Sequence, residues 1–322
     1  MRMTTPGMRT SACLIIAAVA CAKTHSQLTF ASPNEAADEL VVAVESGNYR
    51  LFLSIVGPGM AGFWSTGDAL RDAVERDRFL DAARRNDIKI QAQTQNRQIL
   101  YVGAVENPFP APLMKTESGW MFDGDAGSRE LAARRLRRNE TAAVEQCRRF
   151  RDAEFDYLGL DNGGHPAFAQ RIRSSQGLHD GLFWSDSGEV DESPLGPSFA
   201  AAALAEKLPD EVPHPLFGYY FKVLVAQGPS AYGGTHDYRV NGKLRKGFAL
   251  IAWPAKYGVD GLHSFLINYF GDVYEKNMGP DTNRKAKSMV VFDPDRSWTA
   301  FVEDDGRPLC PYPDGTGLVS RK

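Results

Sequence analysis

Two carboxylates occupy places where a helix would bury them. In the stretch Arg129–Leu158 (RELAARRLRRNETAAVEQCRRFRDAEFDYL), Glu140 and Glu154 fall inside the apolar stripe of a helix. A lone buried carboxylate is costly unless it becomes neutral or finds a partner. Acids perturbed in this way collect at functional sites. On that reading Glu140 and Glu154 face a groove between two domains, with Tyr157 and Trp184 as further lining candidates. The structural alternative is an ion pair for each acid. Arg137 and Arg151 lie three residues before them on the same helix, where such pairs form. The spacing favours this second reading.

The other reactive residue types do not assemble into a catalytic pattern. The six histidines (25, 165, 179, 214, 236 and 263) are scattered, and no two have the i, i+4 spacing of helical metal ligands. His179-Asp180 and His236-Asp237 are adjacent in sequence, which rarely makes a triad, and no G-x-S-x-G elbow accompanies them. Asp123–Gly127 (DGDAG) begins like a calcium loop, but the twelfth position is Arg134 where a bidentate Glu is needed. Gln227–Gly234 (QGPSAYGG) reads as a hairpin or loop and lacks the glycine spacing of a phosphate cradle. Cys147 on the helix and Cys310 in a Pro-rich tail have no zinc-site spacing. They are either a disulfide or, more simply, a buried thiol and a tail thiol. No catalytic residue, metal ligand or cofactor is expected.

The elements that must position these residues follow from periodicity. The 129–158 stretch is the longest helical signal, free of Pro and Gly. Ala132, Leu136, Ala143, Cys147, Phe150, Tyr157 and Leu158 form its stripe. Arg134, Arg135, Arg137, Arg138, Arg148 and Arg149 lie outside the stripe, interleaved with Glu130, Glu145 and Asp152, as on a solvated face. Before this spine, Ser32-Pro33-Asn34-Glu35 starts a helix that Gly47 stops. A second helix is expected over Tyr49–Val56, and a third from Asp68 to Arg85 with Leu70, Val74, Phe79 and Leu80 inward. Short strands then alternate around Ile88–Ala92, Gln98–Gly103, Pro112–Lys115 and Gly119–Phe122. After the spine come a short helix near 166–174 and an Ala-rich helix over Phe199–Leu208. Strands follow at Gly218–Ala226, Tyr238–Asn241, Phe248–Trp253 and in a hairpin over Leu262–Met278, with an edge strand at Met289–Phe292. The continuously apolar FALIAW (248–253) belongs in the middle of its sheet. Tyr219, Tyr220, Phe221, Trp253, Tyr257 and Phe265 are core by strand position.

A chain of 322 residues, 43% hydrophobic and 24% charged, has the composition of a globular protein with room for two domains. Its net charge of −3 excludes a general nucleic-acid binder. Arg2 and Arg9 precede the apolar run Ser11–Ala22, which is too short to span a bilayer and fits a secretory leader. The expected location is outside the cytoplasm, periplasmic or envelope-associated. Cleavage after Ala20 or Ala22 would leave a soluble form. Cys21 is a lipidation candidate, although Ala18 stands where a lipobox usually has Leu. A lipid on Cys21 is the one membrane attachment expected.

Several stretches resemble one bacterial family of unknown function. They are NETAAVEQCRRFRDAEFDY, SPLGP (193–197), FGYYFKVLVAQGP (217–229), YRVNG (238–242), GFALIAWPAKYGVDG (247–261) and GDVYEKNMGPDT (271–282). The family is domain of unknown function 2950, and the likeness runs over residues 28–298. It implies a signal-peptide-bearing envelope protein and attaches no activity. The helices and meander before the spine are similar to the NTF2-like cone fold. Residues 139–282 are similar to the soluble domains of type IV pilin-like proteins. The expected architecture is therefore α+β. Residues 1–26 are leader and linker, 27–128 an NTF2-like region, 129–298 the spine on a pilin-like antiparallel sheet, and 299–322 a poorly ordered tail. The expected role is a non-catalytic binding or structural module whose partner is an envelope protein or a small ligand. The alternative is an enzyme using an NTF2-like pocket or the interdomain groove.

Overall fold

Ser32 sets the first element: its hydroxyl accepts from the Glu35 N–H while Pro33 opens helix α1, Pro33–Glu45. In return the Glu35 carboxylate accepts from the Ala31 N–H. The computed structural model describes residues 27–65, 69–85, 87–103, 108–160, 166–184, 193–203 and 214–302. The expected leader with Cys21, and the residues beyond 302 with Cys310, lie outside the described residues. The described chain is α+β and divides into two compact units at Ser128/Arg129.

In the N-terminal unit, Asn48 caps α2 (Tyr49–Val56) by accepting from the Leu51 N–H. A single 3-10 turn leads to the short α3 (Ala61–Trp64), and α4 covers Ala69–Arg84. Val74, expected inward, is 41% exposed, whereas Phe79 is buried. An antiparallel meander follows in the order β1 (Ile88–Thr94), β2 (Arg97–Val102), β3 (Leu113–Thr116) and β4 (Gly119–Phe122). Leu40, Phe52, Ile55, Leu100, Leu113 and Phe122 are fully buried between these helices and strands.

The spine helix α5 runs from Gly124 to Gly159 and so starts before Arg129. Asp123, which resembles the start of a calcium loop, is an N-cap instead, accepting from the Ala126 N–H at 2.9 Å. Gly124 and Gly127 are tolerated in the first turns because the helix presses on Val56, Met60 and Ala111, where a Cβ would collide. Ala143, Val144, Cys147, Phe150, Ala153 and Tyr157 are buried, while Ala132 at the other end of the expected stripe is exposed.

In the C-terminal unit the main sheet has the order β14–β12–β11–β10–β5. Its strands are β5 (Tyr219–Leu224), β10 (Ala249–Pro254), β11 (His263–Asn268), β12 (Val273–Asn277) and β14 (Thr299–Ala300). All six residues of β10 are buried, and it is flanked by β11 and β5 as an apolar run requires. β14 pairs with β12, so the sheet takes in two residues that composition assigns to the tail. β13 (Val291–Phe292) pairs with β6 (Ala226–Gln227), which pairs with β7 (His236–Asp237); β8 (Arg239–Val240) and β9 (Lys243–Leu244) make a small ribbon. Two short helices complete the unit, α6 (Pro197–Ala202) and α7 (Thr282–Ser288). The expected helix at 166–174 is an extended strap. Phe168 N–H donates to Leu244 O and Ser174 N–H to Phe183 O, which spends its backbone on neighbours rather than on a helix.

Phe150 has no exposed surface and meets Phe248 edge-on, ring centroids 5.7 Å apart, with Phe199 on another side at 6.5 Å. Removing this ring forfeits its transfer free energy and leaves a cavity, so Phe150→Ala is expected to cost about 3–5 kcal/mol. Arg149→Ala, at an exposed position, should stay within about 0.5 kcal/mol of wild type. Urea midpoints of the two variants test this, and the opposite ranking would mean that the helix docks by its basic face.

Candidate functional site

Glu140 does not pair with Arg137. Its Oε1 accepts from the Leu262 N–H at 2.8 Å and the His263 N–H at 3.0 Å, and lies 3.2 Å from His263 Nδ1. Both side chains are about 15% exposed. Beside them the Asn139 amide donates to Asp260 O at 2.9 Å, and Arg135 binds the Asp260 carboxylate at 2.7 Å. Tyr219 Oη donates to His263 O at 2.9 Å, and Gly261 leaves room for that hydroxyl where any side chain would strike it. The spine thus holds the 260–263 loop at the start of β11 by one carboxylate, one amide and one guanidinium.

Burial alone would raise the Glu140 pKa; the His263 side chain and the two N–H groups outweigh it and bring the carboxyl below its ordinary value. Burial likewise disfavours the His263 imidazolium, but the Glu140 carboxylate, helped by Glu275, raises its pKa above the ordinary value. The pair is a hydrogen-bonded His263–Glu140 latch, an ion pair when the imidazole is protonated.

Glu154 is fully buried and its Oε2 accepts from the Ala169 N–H at 2.8 Å. Three residues further along the helix, the strap is held again: Tyr157 Oη donates to His179 O at 2.9 Å, and the His179 ring stacks on Trp184 at 4.3 Å and 15°. Glu154, Tyr157 and Trp184 are therefore brought together around the 166–184 strap. Glu140 lies about 21 Å away along the helix axis. The expected arginine partners are engaged elsewhere, Arg137 with Glu130 at 3.2 Å and Arg151 with Asp152 at 3.0 Å. Main-chain N–H groups already aimed at the carboxylates replace long side chains that would lose rotamer freedom. His263 as the partner of Glu140 was missed, because nothing in sequence links positions 123 residues apart. Cys147 is a free, buried thiol whose pKa burial pushes up to about 12, so it is a core residue without thiolate chemistry.

A groove of about 530 Å³ lies in the N-terminal unit. α1 presents Asn34, Ala37, Asp38, Val41 and Glu45 to it, α4 presents Leu80, Ala83 and Arg84, and β1 contributes Ile88 and Ile90. The floor is aliphatic and the rim carries two carboxylates. Arg84 pairs with Asp81 at 3.4 Å, and among the described residues no ion pair engages Asp38 or Glu45. The acids recur on α1 at i and i+7, a signal legible in sequence, but the facing strand that turns them into a groove is not. Among the described residues no three His, Cys, Asp or Glu side chains converge as metal ligands, and no helix is long and apolar enough to cross a membrane.

Comparison with protein families matches residues 27–301 to one described as "Protein of unknown function (DUF2950)". No curated protein and no solved structure matches the chain.

The latch makes stability depend on pH in a defined window. The depressed Glu140 pKa stabilises above its unfolded value near 4.5 and is lost as pH falls through the lower folded value. The raised His263 pKa stabilises below about 6.5 and is lost as pH rises through the higher folded value. The difference in melting temperature between wild type and Glu140→Gln should therefore be widest between about pH 4.5 and 6.5. A difference that grows steadily toward pH 9 would exclude the latch.

Proposed function

The chain belongs to the family described as protein of unknown function (DUF2950), and from that premise we propose that it is an exported, non-catalytic binding module. The observation that carries this is the groove on α1, α4 and β1. Its volume falls in the range of ligand sites, and it combines an aliphatic floor with a few polar groups at the rim. The two carboxylates of the spine support the same reading, since one oxygen of each, Glu140 Oε1 and Glu154 Oε2, is engaged by main-chain N–H groups that fix the fold. Export is supported by Arg2, Arg9 and the Ser11–Ala22 run. The groove suits an aliphatic ligand bearing a positive group, which Asp38 and Glu45 would attract at the rim.

Calorimetric titration with octyltrimethylammonium and with octyl sulfate, both below their micelle concentrations, tests the groove. The cation is expected to bind and the anion not. Leu80→Asp should abolish binding by placing a charge in the floor, and Asp38→Asn with Glu45→Gln should weaken it. Equal binding of the two surfactants, or a Leu80→Asp variant that binds like wild type, contradicts the assignment. Cell fractionation tests export separately: accumulation of protein with residues 1–20 intact in the cytosol would rule it out.

A further inference from the structure

Tyr232 is the most exposed large hydrophobic residue described, at 85%, and beside it Phe270 is 51% exposed. Their ring centroids are 6.1 Å apart and the planes stand at 77°, so the two rings form an open corner. Phe270 is backed by Tyr269 at 3.9 Å. Burial gains nothing from holding aromatic rings in water, yet both loops are fixed. The Gln227 side chain, only 4% exposed, donates at 2.7 Å to both Tyr232 O and Gly234 O. Under Phe270 the hairpin is closed by Gly271 N–H to Asn268 O at 2.9 Å, and Asp272 N–H donates to the buried Asn268 Oδ1 at 3.1 Å. Rings held ready in this way lose little freedom when a ligand arrives.

We propose that the Tyr232–Phe270 corner is a carbohydrate-binding platform for β-1,4-linked pyranose chains. In such sugars the ring substituents are equatorial, so each face of the ring is a patch of C–H groups bordered by hydroxyls. One aromatic face takes the C–H patch, and the perpendicular ring closes on its edge. The hydroxyl border needs donors and acceptors close by. Tyr232 Oη supplies one, and Arg151 stands next to the hairpin, its Nε donating to Tyr269 O at 3.3 Å and its guanidinium lying over Phe155. Asp272 supplies a carboxylate within the turn. The setting is less suited to a bilayer, where aromatic anchors work with cations: here Asp152 is paired to Arg151 and Asp272 adds a further negative charge. The platform lies in the C-terminal unit and goes beyond the groove reading.

Titration with cellotetraose and chitotetraose, followed by amide chemical shifts of the full chain, tests the platform. At least one tetrasaccharide should bind, with shifts centred on residues 230–234 and 268–272. Tyr232→Ala and Phe270→Ala should each weaken binding by about tenfold or more. Both positions are exposed, so the variants should melt like wild type. Tyr232→Phe, which keeps the ring, should bind better than Tyr232→Ala, and the groove variant Leu80→Asp should bind sugar like wild type. Binding of neither tetrasaccharide, or undiminished binding by Tyr232→Ala, overturns the proposal. So would sugar-independent flotation with phosphatidylglycerol vesicles, or dimerisation, that Tyr232→Ala abolishes. Loss of sugar binding in Leu80→Asp with Tyr232→Ala unaffected would move the site to the groove.

Discussion

A helix face that carries carboxylates can be buried only if those carboxylates are hydrogen bonded, and the C-terminal unit is arranged around that requirement. Glu140 and Glu154 sit on the face of α5 that also carries Cys147 and Phe150. Each accepts from main-chain N–H groups that belong to other segments, two at the start of β11 for Glu140 and one in the strap for Glu154. Arg151 makes a third anchor at the far end of β11 through Tyr269 O. From Glu140 to Arg151 the helix advances about 17 Å. From His263 to Tyr269 the strand advances about 20 Å. Spine and strand are thus tied near both ends, with the Phe150–Phe248 contact between them.

These ties explain why residues that look reactive in isolation are structural in the fold. The Glu140 carboxylate, which accepts two N–H bonds and lies beside the His263 ring, is held in place with its pKa below the ordinary value. It loses the freedom to exchange protons with a substrate. The two surfaces proposed for recognition are the aliphatic groove within the N-terminal unit and the aromatic corner within the C-terminal one. Both are made by short-range geometry: a helix pair beside an edge strand, and two turns that converge.

Much of the fold was legible. Ser32-Pro33, Asn48 and Gly57 punctuate the first helices because caps and turns act locally, and the period-2 runs give the meander its strands. Phe150 and FALIAW were legible because an apolar stripe and an apolar run have few other places to go. What failed was long-range. The 166–174 strap is extended because Leu244, Phe183 and Glu154 claim its backbone groups, and no periodicity announces such partners. The start of α5 is not legible because Gly124 and Gly127 read as loop residues, although close approach to Val56 and Ala111 makes glycine necessary there. The site was less legible still. Glu140, Glu154, Tyr157 and Trp184 were found as unusual residues, but their partners lie far off in sequence. Tyr232 and Phe270 are each an aromatic within a glycine-bearing turn, a position that core packing does not explain, but nothing in the sequence marks the two as neighbours.

The central claim is that the spine's carboxylates hold main-chain amides in place. Amide hydrogen exchange of the native chain reads this directly at Ala169, Leu262 and His263. If the account is right, these three amides exchange only when the C-terminal unit unfolds, as slowly as the amides of β10. Exchange at the rate of exposed loop amides would contradict it, leaving Glu140 and Glu154 free for a role other than holding the fold.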